Sequence, residues 1–113
     1  MMHRRAVLTA SAAILAAPRL ARAVTVGVTD TEIKIGNFMP YSGPASAYGV
    51  IGRGDAAYFK MINEQGGISG RQINFISYDD GYSPPRAVEQ TRRLVEQDHV
   101  ACLFHTLGTP SNS

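Results

Sequence analysis

The stretch Glu32-Ile-Lys-Ile-Gly-Asn-Phe-Met-Pro-Tyr-Ser-Gly-Pro-Ala-Ser-Ala-Tyr-Gly49 decides the fold. Ile33 and Ile35 alternate with polar residues, and Phe38 and Met39 extend the apolar run. That pattern gives a short strand over about Glu32 to Met39, buried on at least one face. Pro40, Gly43 and Pro44 stop the strand and supply turn geometry. Ser42 and Ser46 are helix N-cap residue types, and a helical pattern follows them. A loop that leaves a strand's C-terminal end and enters a helix offers backbone N–H groups to small anions. In open α/β sheets the ligand crevice lies outside those strand ends. The same residues also suit an ordinary strand-to-helix turn, so on pattern alone both readings stand.

Toward the N-terminus, Met1 to Ala23 has the three parts of a cleavable export signal in order. Arg4 and Arg5 form a basic start, Ala6 to Ala17 is an uncharged run of small apolar residues, and Ala21-Arg22-Ala23 is an A-x-A cleavage pattern. The apolar run falls short of the about 20 residues that a spanning helix needs. Arg4-Arg5 followed by Ala-Val-Leu partly matches a twin-arginine signal, so the general and twin-arginine routes both stay open. Cleavage would leave Val24 first, and the unit to be folded is 24–113.

This assignment reverses the charge argument. The whole chain is formally +2, with 11 Lys+Arg against 9 Asp+Glu, but Arg4, Arg5, Arg19 and Arg22 all lie in the signal and no acid does. The remainder has more acid than base, and no basic patch remains to suggest nucleic acid or an anionic membrane surface. The single cysteine, Cys102, excludes an internal disulfide and a multi-cysteine metal site; in its apolar run it is expected to be a small core residue. His3, His99 and His105 show no metal-ligand spacing. His105 ends a strand and has the position of a pocket residue.

Toward the C-terminus, a first helix is expected over about Ala47 to Glu64, with Ile51, Asp55, Tyr58 and Ile62 at helical spacing. Gly49, Gly52 and Gly54 either permit close packing on the sheet or delay the helix until after Gly54. Gly66-Gly67 supplies a left-handed cap. Gln72 to Tyr78 is a second strand with apolar residues on both faces. It ends in Asp79-Asp80-Gly81, which admits a magnesium or phosphoryl site as well as solvated turn capping by Asx side chains. No third acid or partner lysine stands nearby in sequence, which favours capping.

Ser83-Pro84-Pro85 opens a second helix, with Ala87, Val88, Thr91, Leu94 and Val95 as its buried stripe. Arg86, Glu89, Arg92, Arg93 and Glu96 form its solvated face. Val100 to Phe104 is a third strand, and Thr109-Pro110 resembles the start of another helix. The order β-α-β-α-β predicts an α/β fold with a parallel sheet and right-handed crossovers. Three strands make a thin sheet, which suggests the opening of a larger domain; a small flavodoxin-like domain is the alternative. No nucleophile elbow, metal cluster or phosphate loop suggests an enzyme, and no cofactor is implied.

Four segments together carry a family resemblance: Gly27 to Gly36, Ser42-Gly-Pro-Ala-Ser-Ala-Tyr-Gly49, Ile62-Asn-Glu-Gln-Gly-Gly-Ile-Ser-Gly-Arg71 and Tyr78-Asp-Asp80. In this order they resemble the start of a periplasmic solute-binding protein of the branched-chain amino-acid (leucine/isoleucine/valine-binding) type of ABC transporters. The resemblance covers Val24 to Ser113. It implies a type I fold of two α/β lobes closing on a ligand, of which this chain would hold the first part of lobe one. It implies a small-molecule ligand, an ABC permease in the inner membrane as partner, and a periplasmic location. A sensory receptor lobe and a truncated product without activity of its own are the alternatives.

The resemblance also implies site residues. Tyr48 matches an aromatic pocket position after the first strand. Gly108 and Thr109 match a loop in which the family commonly has serines that hydrogen-bond the ligand's carboxylate. Gly108 removes the first of those hydroxyls, so only its backbone would serve. Tyr82 and Leu107 stand where some members have a disulfide. These departures loosen the link to leucine and extend the implied ligands to other amino acids and small carboxylates, including aromatic acids.

Overall fold

A computed structural model describes residues 25–113; the expected export signal lies outside the described residues. The elements follow in the order β1 (Glu32–Met39), α1 (Gly49–Glu64), β2 (Gln72–Asp79), α2 (Pro84–Glu96) and β3 (Cys102–Leu103), with a 3-10 turn over Ser46–Tyr48 leading into α1. The three strands form one parallel sheet in the order β2-β1-β3. The expected β-α-β-α-β parallel arrangement is therefore present. The chain steps from β1 outward to β2, then back across to the far side of β1. That reversal makes the β1/β3 boundary a topological switch point.

The helices cover opposite faces. Successive residues of a strand point to opposite sides. Met39 of β1 meets α1 at Gly52, where an added Cβ would stand 2.9 Å from the Met39 side chain. Gly36, of opposite parity, meets α2: a Cβ there would stand 2.7 Å from Leu94. Phe59 of α1 packs against Phe75 of β2 with ring centres 5.1 Å apart and tilted by 51°, and meets Phe104 edge-on at 5.8 Å. Phe38, Met39, Phe59, Ile73, Ala87, Leu94 and Val100 form the buried core.

Close approach explains two of the three helix glycines. A Cβ on Gly52 would collide with the Tyr41 ring, and one on Gly49 would crowd the same ring. Helix α1 therefore begins at Gly49 rather than after Gly54, and Gly54 itself faces open space. Gly66 and Gly67 both have positive φ after the helix, and the Gly67 N–H donates to the Ile62 carbonyl, as a left-handed cap requires.

The β3 side departs from expectation. The third strand is reduced to Cys102–Leu103, although the N–H groups of Ala101 and Phe104 still donate to the Lys34 and Gly36 carbonyls of β1. Cys102 is exposed rather than buried, because β3 is an edge strand and among the described residues nothing covers its outer side. Val88 and Val95 are exposed for the same reason: they sit on the flank of α2 that overhangs β3. With Phe38, Thr91, Leu103 and Ser111 they line an open groove of about 480 Å³. Arg93 is not simply solvated. Its guanidinium lies 4.2 Å from the centre of the Tyr78 ring, and the Tyr78 hydroxyl donates to Asp98.

Candidate functional site at the strand ends

Three loops meet at the C-terminal edge of the sheet. The first follows β1 (40–45), the second follows β2 (80–83) and the third follows β3 (104–112). Strand register sets the first two side by side, since Met39 pairs with Asp79. An added Cβ on Gly43 would lie 3.4 Å from the Gly81 carbonyl. The second and third loops also touch: a Cβ on Gly108 would lie 3.1 Å from the Tyr82 ring.

Asp79 ties the first loop to the second. Its Oδ1 accepts the backbone N–H groups of Tyr41 at 3.0 Å, Ser42 at 3.2 Å and Gly81 at 2.9 Å. Its Oδ2 accepts the Ser42 hydroxyl at 2.5 Å. Burial pushes the carboxyl's pKa up, but the bonds from Ser42, Gly81 and Tyr41 outweigh it and hold the pKa below the ordinary Asp value. Ser42 is thereby engaged in this tie. Neither it nor Ser46 caps a helix, because the turn starts after Ala45 and α1 after Tyr48, each without a side-chain cap. Asp80 is fully buried; its Oδ1 accepts the Tyr82 N–H at 3.1 Å, and its Oδ2 has no partner among the described residues. Both acids thus make Asx-type bonds two residues ahead, as the turn-capping reading expects. Among the described residues no group of three or more metal-ligating side chains forms.

A second network lies beneath. The Ser77 hydroxyl donates to Asn37 at 2.5 Å and makes a short bond with the Tyr41 hydroxyl. Asn37 is fully buried. These contacts place the Tyr41 ring over Gly49 and Gly52 and fix the entry into α1.

The residues expected to touch ligand occupy the same edge, in separate places. Tyr48 ends the 3-10 turn and is 57% exposed. Gly108 has φ +117°, which favours glycine, and its carbonyl accepts the N–H groups of Ser111 and Asn112. Thr109 is exposed, and its carbonyl accepts the Ser113 hydroxyl at 2.6 Å. Residues 108–112 thus close one turn, as the Thr109-Pro110 pattern foreshadows, but Thr109 makes no side-chain cap bond. No hydrogen bond joins Tyr48 to Gly108 or Thr109 among the described residues. His105 has φ +60° and sets its Nδ1 3.0 Å from the Asp55 carboxylate of α1. That contact bridges the third loop to the first helix, a link that sequence spacing does not reveal.

The role of Asp79 is the main residue assignment that sequence reasoning missed. Its signal was the alignment of Ser-Gly-Pro and Asp-Asp at the ends of two parallel strands, visible only once Met39 is paired with Asp79. The loop N–H groups of Tyr41 and Ser42, offered above as anion donors, are already bonded to this carboxylate.

Comparison with known proteins agrees with this architecture. The family profile described as periplasmic binding protein matches residues 32–112. The leucine-, isoleucine-, valine-, threonine-, and alanine-binding protein of Pseudomonas aeruginosa is 31% identical over 83 residues, which is 73% of this chain and 22% of that relative. The solved fatty acid ABC transporter substrate-binding protein from Thermomonospora curvata superposes with a TM-score of 0.69 at 30% identity, covering 79% of this chain and 23% of that one. The branched-chain amino acid transporter substrate-binding protein from Streptococcus pneumoniae, solved in complex with isoleucine, gives a TM-score of 0.68 at 30% identity, over 73% of this chain and 24% of that one. The chain therefore spans under a quarter of the length of these relatives.

Proposed function

The chain belongs to the periplasmic binding protein family, and from that premise we propose that it serves as the periplasmic substrate-binding component of an ABC transporter for branched-chain amino acids or related small carboxylates. The observation that carries the reading is the convergence of three strand-end loops beside the β1/β3 switch point, where open α/β sheets bind ligands. Two of the similar structures are named for an isoleucine complex and for fatty acids, ligands that share a carboxylate. On this reading Tyr48 packs on the ligand's apolar part. The Thr109 hydroxyl and the Gly108 backbone serve the carboxylate, and the permease is the downstream partner. Residues 1–23 direct export, and 24–113 form part of the ligand-binding lobe.

A binding role is in keeping with the family, whose members are substrate-binding proteins. At this edge Asp79 and the buried Asp80 make turn bonds, and the third loop offers the Thr109 hydroxyl. The test is isothermal titration of the protein with L-isoleucine, octanoate and benzoate, repeated on Tyr48→Ala and Thr109→Val. Saturable binding of at least one of them, weakened in both variants, is expected. Unchanged affinity in both variants would remove these residues from the site, and no binding of any probe would remove the carboxylate reading.

A further inference from the structure

The sheet's C-terminal edge already holds one carboxylate of its own. Asp79 takes up two successive N–H groups of the first loop, the Ser42 hydroxyl and one N–H of the second loop. Four donors from two loops converge on one side chain, and the loop they hold runs directly into the 3-10 turn that ends at Tyr48. We propose that Asp79 is the positioning residue of the ligand edge: it occupies the anion position between β1 and β2, fixes the Tyr41–Ala45 loop, and leaves only the β1/β3 side for a ligand's carboxylate. The inference rests on the ligand reading above.

The geometry supports both halves of the statement. A ligand carboxylate placed over β1 and β2 would meet N–H groups already satisfied and a like charge beside them, which is repulsive. Over β3 it would meet the third loop, where Gly108 and Thr109 stand. Apart from the bond of the Tyr41 hydroxyl to Ser77 and the packing of its ring on Gly49 and Gly52, the loop is joined to β2 through Asp79. Pro40 and Pro44 lack N–H groups, and Gly43 has φ +83°, so its bonds to Asp79 supply much of its attachment to the neighbouring strand. The charged groups around these loops are Asp80 beside it, Arg86 of α2, whose guanidinium lies 2.8 Å from where a Gly81 Cβ would stand, and Arg53 of α1, which reaches Gly49. None of them bonds to the Asp79 carboxylate among the described residues, so the amides and Ser42 are what hold its charge.

The experiment is amide NMR on the full chain, first without any probe. The Tyr41, Ser42 and Gly81 amides are expected to titrate together, with one midpoint below the ordinary Asp range. Asp79→Ala should raise hydrogen exchange at those amides at least tenfold while the Ile35 and Gly36 amides of β1 stay protected. Asp79→Asn, which keeps an acceptor oxygen for the N–H groups, should raise it less. Separate midpoints, or a uniform rise across β1, would overturn the proposal. In the second arm L-isoleucine and benzoate are titrated. Asp79→Ala should lose at least tenfold in affinity with Asp79→Asn between it and the parent, and equal affinities would overturn the positioning role. Failure of the parent chain to bind either probe would contradict the ligand reading, whereas the probe-free arm by itself decides whether Asp79 holds the loops.

Discussion

The two edges of this sheet are built to different degrees. On one side β1 pairs with β2 over eight residues, from Glu32 with Gln72 to Met39 with Asp79. Helix α1 closes over that pair through Phe59, and Asp79 locks the loops beyond it. On the other side β3 pairs over two residues, Ile35 with Cys102 and Gly36 with Leu103, and carries exposed Cys102, Leu103 and Phe104. The difference teaches where stability and where adaptability reside. The β1/β2 half is paired along the full length of both strands and tied at its loops, whereas the β3 half keeps apolar surface and loop groups open beside the switch point.

The comparison breaks most severely at Leu94, which is fully buried and is the α2 side chain that meets Gly36. Leu94→Ala should cost about 2–5 kcal/mol in urea unfolding, as large-to-small core changes do. A loss well under that would mean that α2 is not anchored to β1. Gly52→Ala is expected next, at about 1–3 kcal/mol, because its Cβ would collide with the Tyr41 ring. The same change at Gly54, which faces open space, should be neutral or stabilising and provides the control.

Acid should narrow the difference between the two halves, because it weakens the Asp79 tie on the better-built side. The folded pKa of Asp79 lies below its ordinary value of 3.8. Its bonds therefore contribute stability that is fully present above that value and is lost as pH falls through the folded pKa. Unfolding followed from pH 6 to pH 2 should show this loss in the parent chain and a smaller one in Asp79→Asn. Equal pH profiles would contradict the tie. The smallest effect belongs to the open groove. Val88→Ser and Val95→Ser should each change stability by within about 0.5 kcal/mol, since both side chains are more than half exposed. A cost of several times that would show the groove to be covered in solution.

Legibility from sequence follows the same division. The bounds of β1 were readable to the residue because alternation begins after Thr31 and Pro40 ends it. Helix α2 was readable from Ser83-Pro84-Pro85, which fixes its start. The apolar run Val100 to Phe104 was misread as a fully formed strand with a buried cysteine, since an apolar run looks alike in a central and an edge strand. The buried stripe of α2 failed at Val88 and Val95 for the related reason that periodicity names a face without saying how wide its cover is. Asp79 and Ser42 are 37 residues apart, and only the strand register brings them together. The positive φ at His105 and its contact to Asp55 are likewise consequences of tertiary packing.

The most direct test of a carboxylate site on the β3 side of this edge is amide shift mapping of the parent chain during titration with L-isoleucine and benzoate. Saturable shifts confined to residues 104–112 and to the segment around Tyr48, with the Tyr41 and Ser42 amides staying on Asp79, are the predicted result. Shifts concentrated at the opposite sheet edge near Glu32 and Gln72, or in the groove along α2, would contradict it.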